Sequence, residues 1–324
     1  MLERIKLFSQ ARVCVIGDMA ADVYIFGNPY KISREAPVIV MRHKGEIVIP
    51  GSAANSVNNL LALGATAYPV GVVGDDQEGN ALVDYFRKMG VDNTGIFQSH
   101  AVKTISKMRV MAGDEHTSKQ QIIRIDKDPG VAYQDLFEEQ ILSYLDSIED
   151  DIDGVLVSDY DYGVVTEAIR EKILAFNRKK IVVTDSHSRL REFRGINVLT
   201  PNEAEAHSAT GEEDPYKMGK RLIEMVECEY VLLTRGNKGM ILFGKDGSID
   251  EIPIFGGHEV TDVTGAGDTV SSVMLLSLVC GAPSSQAARL SNYAASVVVM
   301  KRGTAVLSPS ELEEAVLRDY RKDC

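Results

Sequence analysis

The run from Asp262 to Thr269, with the letters DVTGAGDT, combines small residues with carboxylates. An apolar stripe with helical spacing follows it, and Gly281 stands where that helix would end. Small residues at a helix start leave backbone N–H groups uncovered, and the helix dipole adds partial positive charge there. The run therefore predicts an anion hole for a phosphoryl group at Gly265–Gly267, beside a carboxylate, Asp268, that can accept the proton of an attacking hydroxyl.

Two other interpretations apply to a glycine-rich helix start. A dinucleotide-binding fingerprint needs a third glycine, but this sequence has Val270 at that place and the run lies late in the chain, so that interpretation is excluded. A purely structural role stays open for the run taken alone. In that role the glycines permit tight packing and Asp268 caps the helix.

Carboxylates and small residues also follow the first predicted strand and open the first long helix. Asp18 and Asp22 come after the apolar run 13–16, and carboxylates at a strand end can accept hydrogen bonds from sugar hydroxyls or cap a turn. The stretch Gly51–Asn55 has small residues that let a ligand approach the backbone, and Asn55 offers a donor and an acceptor. Taken alone, each segment is also compatible with an ordinary turn or helix start.

Composition excludes several classes of protein. The 324 residues are 44% hydrophobic and 25% charged, as in a globular chain with one large core. The formal net charge of −12 argues against general nucleic-acid binding. The N-terminal residues lack the apolar region of a signal peptide, and the most apolar stretch, 273–280, is too short to span a bilayer. The four cysteines lie far apart and the six histidines lack metal-ligand spacing, so we expect a reduced, cytoplasmic protein with no membrane partner.

Short apolar runs alternate with helical patterns along the chain. The runs are continuous, as expected for strands of a parallel sheet that is covered by helices on both faces. This order predicts an α/β fold, a doubly wound sheet with helices on both faces, in a single domain spanning 1–324. Buried strands are predicted at 13–16, 155–157, 181–184, 198–200 and 230–233, and helices at about 53–63 and 78–89. Ligands bind beyond the carboxyl ends of such strands.

Two segments depart from this rhythm, Val23–Arg42 and Lys103–Asp126. Apolar and polar residues alternate in them, so each strand would have one buried and one open face. The pattern predicts a small antiparallel β-sheet that acts as a lid, built from about 22–48 and 103–126, with an ordinary extension of the sheet edge as the alternative. The apolar residues 38–40 would leave strand edges unpaired, which favours a homodimer through the lid.

Charged side chains of the lid fall on one face of each strand. Lys107 and Arg109 share a face of one strand, and Arg124 and Asp126 share a face of its neighbour. Arginine pairs with phosphate in a bidentate manner, so these cations suit a non-reacting phosphate on an acceptor while Asp126 takes a hydroxyl. A solvated strand face with compensating acids is the alternative.

Five ordered motifs make the sequence resemble the ribokinase (PfkB) family of carbohydrate kinases over essentially its whole length. They are Gly17-Asp18 with Asp22, Gly51–Asn55, Asn202 with Glu205, Thr234–Gly236 and Asp262–Thr269. Within the family, the stretches 32–38, 105–110, 120–126 and 158–160 most resemble the heptose 7-phosphate kinases, the kinase half of the bifunctional ADP-heptose synthesis protein. The resemblance implies a ribokinase-like fold and ATP-dependent phosphoryl transfer to a sugar hydroxyl. The acceptor would be D-glycero-D-manno-heptose 7-phosphate and the product its 1,7-bisphosphate.

The resemblance also implies a role for each matching residue. Asp268 would be the catalytic base beside the anion hole of Gly265, Ala266 and Gly267. The sugar would be held by Asp18, Asp22, Gly51, Ser52, Asn55 and Asp126. The nucleotide would lie against Asn202, Glu203, Ala204, Glu205, Thr234, Arg235, Gly236 and Asn292. Glu205 would organise the water shell of Mg²⁺, and Asp262 and Thr264 would hold a monovalent cation, K⁺, behind the anion hole.

Three positions depart from the family pattern. Ser52 replaces the second residue of a usual Gly-Gly pair, and Tyr162 and His187 stand where the heptose kinases have lysines. Arg189 or Arg191 could compensate for the missing charges. Three functions stay open: a heptose 7-phosphate kinase, a kinase of another sugar or a nucleoside, and a catalytically silent sugar- or nucleotide-binding regulator. Since the chain ends near the end of the kinase module, no nucleotidyltransferase half is expected.

Overall fold

The described residues form two β-sheets of different size. The computed structural model describes residues 1–113, 119–129, 133, 136–256 and 261–322. The strands are β1 (Arg12–Gly17), β2 (Met19–Ile32), β3 (Ile39–Ser52), β4 (Thr66–Gly74), β5 (Ile96–Ser99), β6 (Ile105–Ala112), β7 (Gln120–Lys127), β8 (Gly154–Asp159), β9 (Ile181–Ser186), β10 (Val198–Leu199), β11 (Tyr230–Thr234), β12 (Met240–Gly244) and β13 (Ile249–Ile252). The helices are α1 (Leu2–Ile5), α2 (Ala53–Ala62), α3 (Gln77–Lys88), α4 (Glu138–Ile148), α5 (Glu167–Phe176), α6 (Glu203–Thr210), α7 (Pro215–Val226), α8 (Ala266–Val279), α9 (Ser284–Val298) and α10 (Pro309–Lys322).

The larger sheet confirms the predicted α/β architecture. Within the described residues its order is β13-β12-β11-β10-β9-β8-β1-β4-β5. Neighbouring strands in the part β11-β10-β9-β8-β1-β4-β5 pair in parallel, whereas β12 and β13 are added at one edge in antiparallel orientation. Along β1, Val13 and Val15 join a core cluster with α2 and α8, while Cys14 and Ile16 join another with α4 and α5. The sheet is therefore covered by helices on both faces.

The smaller sheet has the order β3-β2-β6-β7, and its strands come from both predicted lid segments. Residues 114–118 of the second segment lie outside the described residues. The outer pairs β2–β3 and β6–β7 are antiparallel, but the central pair β2–β6 is parallel. The prediction of a purely antiparallel sheet is wrong at this central pair. The chain leaves β3 into α2 and passes through β4, α3 and β5 before it returns as β6, and such a crossover connection allows parallel pairing.

The two sheets are joined where the chemistry was predicted. Asp18 is the single residue between β1 and β2, and β3 runs directly into α2 at Ser52 and Ala53. The lid is thus continuous with the carboxyl end of β1 and with the start of α2. No helix in the described ranges is long and apolar enough to cross a membrane.

Candidate active site

Helix α8 begins with the glycine-rich segment predicted to bind an anion. Gly265 is its N-cap with a φ of 78°, and a Cβ at Gly265 would lie 2.5 Å from Asn55 Nδ2. The N–H of Ala266 donates to a carbonyl of the preceding loop at 3.2 Å, whereas those of Gly267 and Asp268 donate to no group in the described parts of the chain. These two N–H groups lie at the positive end of the helix dipole, where an anion would be stabilised.

Asp268 lies in the first turn of α8, and both of its carboxylate oxygens accept hydrogen bonds. Asn55 Nδ2 donates to Oδ2 at 2.7 Å, and the Tyr160 hydroxyl donates to Oδ1 at 3.0 Å. Burial raises the pKa of Asp268 to about 6, although these two hydrogen bonds and the charge of Lys107 oppose the rise. A buried carboxylate with a pKa just below neutrality is suited to act as a general base.

A second group of ionisable side chains lies at the carboxyl end of β9, beside α6. Glu205 Oε1 is 2.8 Å from His187 Nδ1, and Glu205 Oε2 accepts from Asn202 N at 2.9 Å in a capping box. The hydrogen bond with Glu205 raises the pKa of His187. Burial and repulsion from nearby carboxylates hold the pKa of Asp185 well above its ordinary range. A Cβ at Gly267 would lie 3.7 Å from Asp185 Oδ2, so the carboxyl group of Asp185 adjoins the anion hole.

Both lid arginines that were predicted to read a phosphate are paired with carboxylates. Arg109 is 6% exposed, and its Nη1 lies 2.6 Å from Asp22 Oδ1. Arg124 makes a bidentate pair with Asp126 at the surface, with distances of 2.7 and 2.6 Å. This pair lowers the pKa of Asp126, mainly through the hydrogen bond from Arg124. A phosphate could reach Arg109 only by displacing Asp22, whereas the Arg124 pair is open to solvent.

Lys107 is a lid cation whose charge acts on Asp268. Its Nζ donates to Ser52 Oγ at 3.3 Å and lies 5.0 Å from the centre of the Tyr160 ring. No carboxylate forms a salt bridge with Lys107 within the described ranges. In the lid register, Lys107 stands opposite Asp22 on one side and Asp126 on the other. The predicted charged face of the lid is therefore present, and Lys107 is its member that adjoins the base.

Asp18 is fully buried and organises the loop that follows β8. Its Oδ2 accepts from the backbone N–H groups of Tyr160 at 2.8 Å and Tyr162 at 3.2 Å, and its Oδ1 accepts from that of Val164 at 3.2 Å. Burial and repulsion from Asp159 raise the pKa of Asp18 to about 6 against these three hydrogen bonds. The described contacts of Asp18 are thus with the protein backbone, and its contact with a sugar hydroxyl stays a prediction.

The Gly51-Ser52 pair joins the lid to α2 in a constrained geometry. A Cβ at Gly51 would lie 3.1 Å from Asp22 Cγ, so the glycine leaves room for that carboxylate. Ser52 has a φ of 51° and a ψ of −132°, a conformation that glycine adopts much more easily than other residues. Backbone geometry therefore explains why glycine is usual at this position, and Ser52 adopts it under strain.

The residues predicted to bind the nucleotide surround the start of α8 on the side of β11. Thr234, Gly236 and Asn292 line a cavity of about 170 Å³ together with Ala266 and Gly267. The rest of its wall is largely apolar, with Met240, Ile254, Val263 and Val270. A larger cavity of about 670 Å³ lies at the opposite, amino-terminal edge of the sheet, and none of the predicted site residues lines it.

The other predicted nucleotide residues belong to the first turn of α6 and the segment after β11. Asn202 caps α6 by accepting from Glu205 N at 2.9 Å. Arg235 Nε lies 3.1 Å from Glu203 Oε1, so the charge of Arg235 is directed at a carboxylate. Ala204 is exposed on the same turn. An isolated bridge pairs Asn202 with Thr234, which places the α6 start beside the cavity.

Asp262 and Thr264 form a compact turn before α8. Asp262 Oδ1 accepts from Thr264 N at 3.0 Å and from its hydroxyl at 2.7 Å, and Oδ2 accepts from Gly303 N at 2.9 Å. Burial raises the pKa of Asp262, but these hydrogen bonds outweigh it and leave the pKa below its ordinary value. Among the residues described, no three His, Cys, Asp or Glu side chains are grouped as metal ligands. Cation binding by Asp262 and Thr264 stays a prediction.

The arginines expected to compensate for the missing lysines have other partners. Arg189 Nη2 lies 2.8 Å from the buried Asp159, and Arg191 Nε donates to Ala209 O at 2.6 Å. In this structure both arginines are engaged with other parts of the fold, and compensation by either of them for the missing lysines stays a prediction. The imidazole of His187 remains at the site, bound to Glu205, and Tyr162 contacts Asp128, which directly follows β7.

Comparison with known proteins identifies the family. The family model described as pfkB family carbohydrate kinase matches residues 10–311. The chain belongs to the pfkB family of carbohydrate kinases. It is accordingly a sugar kinase, as the order of its motifs predicted. The candidate base of this pfkB kinase, Asp268, lies at the glycine-rich start of α8.

Curated relatives of this pfkB kinase match nearly the whole chain. The protein named "Bifunctional protein HldE" from Geobacter sulfurreducens is 40% identical over 318 residues, covering 95% of this chain and 64% of that protein. The protein of the same name from Geotalea uraniireducens is 39% identical, with the same coverages. The chain therefore spans just under two thirds of the length of these relatives.

Solved structures confirm the ribokinase-like fold at low sequence identity. Arabidopsis thaliana ribokinase, complexed with ribose and ATP, superposes with a TM-score of 0.72 at 20% identity, covering 94% of this chain and 98% of that chain. Escherichia coli phosphofructokinase-2, in complex with substrates and products, gives a TM-score of 0.73 at 16% identity, covering 95% and 99%. At these identities the likeness concerns the fold alone.

Sequence reasoning assigned no role to three side chains that the structure brings to Asp268 and the anion hole. Tyr160 donates to Asp268, Ser56 Oγ lies 3.5 Å from Asp268 Oδ1, and Asp185 adjoins Gly267. Asp185 and Tyr160 lie at or just after the ends of β9 and β8, so their position in the strand order was a usable signal. Ser56 gave no such signal, because a serine within a helix is common and does not by itself indicate a functional site.

Proposed function

We propose that this pfkB kinase transfers the γ-phosphoryl group of ATP to the C1 hydroxyl of D-glycero-D-manno-heptose 7-phosphate, giving the 1,7-bisphosphate. The proposal is supported by the match of 95% of the chain to proteins named HldE. The observation that carries it is the position of Asp268. Asn55 and Tyr160 hold its carboxylate beside the N–H of Gly267, which donates to no group among the described residues.

This arrangement supports an in-line transfer that needs one base and one anion hole. The acceptor oxygen would attack the γ-phosphorus, the bond from that phosphorus to the ADP oxygen would break, and Asp268 would take the hydroxyl proton. The N–H groups of Gly267 and Asp268 would stabilise charge on the equatorial oxygens, since phosphoryl transfer depends on positioning and electrostatics rather than on covalent help.

The described residues fit ATP with Mg²⁺. The mostly apolar cavity between Met240, Val263 and Asn292 suits a nucleobase, and it shares Ala266 and Gly267 with the anion hole. Asp185 and Glu205 place two carboxyl groups next to that point, and burial together with repulsion from Glu205 raises the pKa of Asp185. A divalent cation held through water by these carboxylates would neutralise phosphate charge during the transfer.

The acceptor phosphate is proposed to be read at the open face of the lid. Arg124 is exposed, and its bidentate partner Asp126 occupies the position that a phosphate would take in an equivalent geometry. Lys107 adjoins the base, so we assign it to charge on the reacting side of the acceptor. Arg109 is assigned to hold Asp22 in place.

An ATP-consumption panel tests the acceptor. We expect heptose 7-phosphate to give a kcat/KM at least about 100-fold above free heptose, ribose and nucleosides, because these lack the phosphate, a charged hydrogen bond contributes roughly 1.5–3 kcal/mol and the lid offers more than one. Equal turnover of phosphorylated and free sugars would contradict the heptose phosphate assignment. No turnover of any acceptor would favour the silent regulator.

We also propose that two copies pair through their lids. Both faces of the lid carry exposed apolar side chains, which a second copy would cover: Tyr30, Ile32, Val38, Ile39, Ile47, Ile122, Ile123 and Ile125. Exposed apolar strands favour association with another chain, and a twofold dimer is the simplest assembly in which two copies cover each other's apolar side chains. Light scattering is expected to give a dimer at micromolar concentration and a monomer for Ile39→Lys. A monomeric wild-type chain would contradict the proposal.

A monovalent cation behind the anion hole is proposed at Asp262 and Thr264. Their turn leads directly into Gly265, so a cation there would act on the position of the anion hole. Turnover measured in K⁺ against a tetramethylammonium salt tests it. Equal rates in the two salts would remove this part of the proposal.

A further inference from the structure

Tyr160 links two buried carboxylates on opposite sides of the site. Its backbone N–H donates to Asp18 Oδ2 at 2.8 Å, and its hydroxyl donates to Asp268 Oδ1 at 3.0 Å. Asp18 lies at the end of β1 and Asp268 in the first turn of α8. Tyr160 thus directly connects the carboxyl end of the main sheet, through its backbone, with the candidate base, through its side chain.

The loop that carries Tyr160 is held in one conformation by several contacts. Asp18 also accepts from the N–H groups of Tyr162 and Val164, which fixes the backbone on both sides of Asp161. Asp161 has a φ of 65°, a value that few non-glycine residues adopt without support from their surroundings. A loop fixed in this way can present one hydroxyl at a defined point.

The ring of Tyr160 is fixed as firmly as its backbone. The His187 ring packs edge-on at a centroid distance of 4.5 Å, and Lys107 Nζ lies 5.0 Å from the ring centre. Burial holds the pKa of Tyr160 well above its ordinary range, so the phenol keeps its proton and acts as a donor at physiological pH.

We propose that Tyr160 is a positioning residue for the base: its hydroxyl holds Oδ1 of Asp268 while Asn55 holds Oδ2, so that the carboxylate stays ionised and aimed at the acceptor hydroxyl. This inference rests on the proposed role of Asp268 in the kinase reaction. A carboxylate whose two oxygens are held by separate donors cannot rotate about its last bond without losing the hydrogen bonds to both. The lone pairs that remain are then fixed in direction. Asp18 takes part in this chain of contacts by holding the loop.

The consequence for the base can be given a sign. A hydrogen bond to the ionised form stabilises that form, so its removal raises the pKa of Asp268. The other groups facing this carboxylate are Asn55 and Ser56 from α2, Lys107 from β6, Asp22 from β2 and Asp185 from β9. None of these groups changes when only the Tyr160 hydroxyl is deleted. A shift of the acid limb of kcat would therefore report on this one contact.

The test compares Tyr160→Phe with Tyr85→Phe in the full chain. The Tyr85 hydroxyl lies outside the site and donates to Asn58 Oδ1 at 2.8 Å. Tyr85→Phe therefore removes the same hydroxyl oxygen and one internal hydrogen bond without touching the site. For Tyr160→Phe we expect kcat at pH 7 to fall about 10-fold, the acid limb to move to higher pH, and the KM for ATP to stay within about twofold. Tyr85→Phe is expected to keep the wild-type profile.

A second variant keeps the test decisive if Tyr160→Phe is poorly folded. 3-Fluorotyrosine at position 160 retains the hydroxyl and makes it a stronger donor, so the acid limb is expected to move to lower pH. Wild-type kcat and an unmoved limb in both variants would overturn the inference. If Asp268→Asn is inactive while both Tyr160 variants behave as wild type, only the positioning role fails. If Asp268→Asn is itself active, the assignment of the base fails.

Discussion

Asn55 Nδ2 and Asp268 Oδ2 lie 2.7 Å apart, which joins the first turn of α2 to the first turn of α8 across 213 positions of sequence. The same Asn55 Nδ2 fills the space that a side chain at Gly265 would need. One amide therefore both holds the candidate base and limits the helix N-cap to glycine. The geometry of the anion hole and that of the base are coupled through Asn55.

Replacing this amide by a carboxylate is expected to disable the site. In Asn55→Asp two carboxylates would face each other at hydrogen-bond distance, and they cannot both be ionised there without a large cost. We expect kcat to fall at least about 100-fold at pH 7. The folded pKa of the pair would rise, so the stability of the variant would be greatest at low pH and would be lost as the pH rises through that pKa.

Urea unfolding at pH 5 and pH 8 measures this effect, with Asn55→Ala as the control. The alanine variant loses the donor without gaining a charge, so its deficit relative to wild type should depend much less on pH. An Asn55→Asp deficit that is equal at both pH values would contradict the like-charge argument.

Ser52→Gly is expected to stabilise the fold by about 1 kcal/mol. Glycine relieves the strain of the φ of 51°, although it also gives the unfolded chain more freedom. Ser52→Ala is the matched control, because it removes the hydroxyl that contacts Lys107 but keeps a Cβ in the strained conformation. Free energies of unfolding in urea should therefore separate the two variants. A glycine variant no more stable than the alanine variant would show that no strain is released.

The two lid ion pairs are expected to differ in their effect on stability. The side chains of Arg109 and Asp22 are 8% and 3% exposed, so Arg109→Met leaves a buried carboxylate unpaired, which should cost about 3–5 kcal/mol. The side chains of Arg124 and Asp126 are 45% and 46% exposed, so Arg124→Met should cost no more than about 1 kcal/mol. Unfolding in urea measures both, and equal losses would contradict the difference in burial.

The pH dependence of kcat is expected to follow the ionisation of Asp268. Its pKa is about 6, so kcat should decline as the pH falls through that value, because the protonated acid cannot accept the acceptor's proton. The charge of Lys107 lowers this pKa, so Lys107→Met should move the acid limb to higher pH. The pKa of Asp18 is also about 6, so Asp18 could contribute to the same acid limb. Comparing the pH profile of Lys107→Met with that of the wild type isolates the contribution that depends on Lys107. A limb that moves to lower pH in Lys107→Met would contradict the assignment.

The sequence predicted the parallel part of the fold well, because buried parallel strands have an unambiguous pattern. The apolar runs 13–16 and 155–157 lie within β1 and β8, and the helix predicted at about 53–63 is α2. The antiparallel edge strands β12 and β13 were not predicted. They follow β11 as short segments of four or five residues in which burial does not alternate regularly. The parallel β2–β6 pairing depends on a long crossover, which no local pattern reveals.

The site was predictable as a set of strand ends and helix starts, but its pairings were not. Alternation correctly grouped Lys107 with Arg109, and Arg124 with Asp126. It could not show that Asp22, on a third strand, would take the charge of Arg109. Long-range contacts of this kind are decided by strand register and side-chain packing. Neither strand register nor side-chain packing can be derived from a local stretch of sequence.

The most direct test of the central claim is the turnover of Asp268→Asn with ATP and heptose 7-phosphate, together with its affinity for ATP. The account predicts a fall in kcat of about 10²–10⁴-fold, since the variant keeps the shape of the side chain but loses the base, and an ATP Kd within a few-fold of wild type. A variant that turns over within a few-fold of the wild-type rate would contradict the assignment of Asp268 as the base.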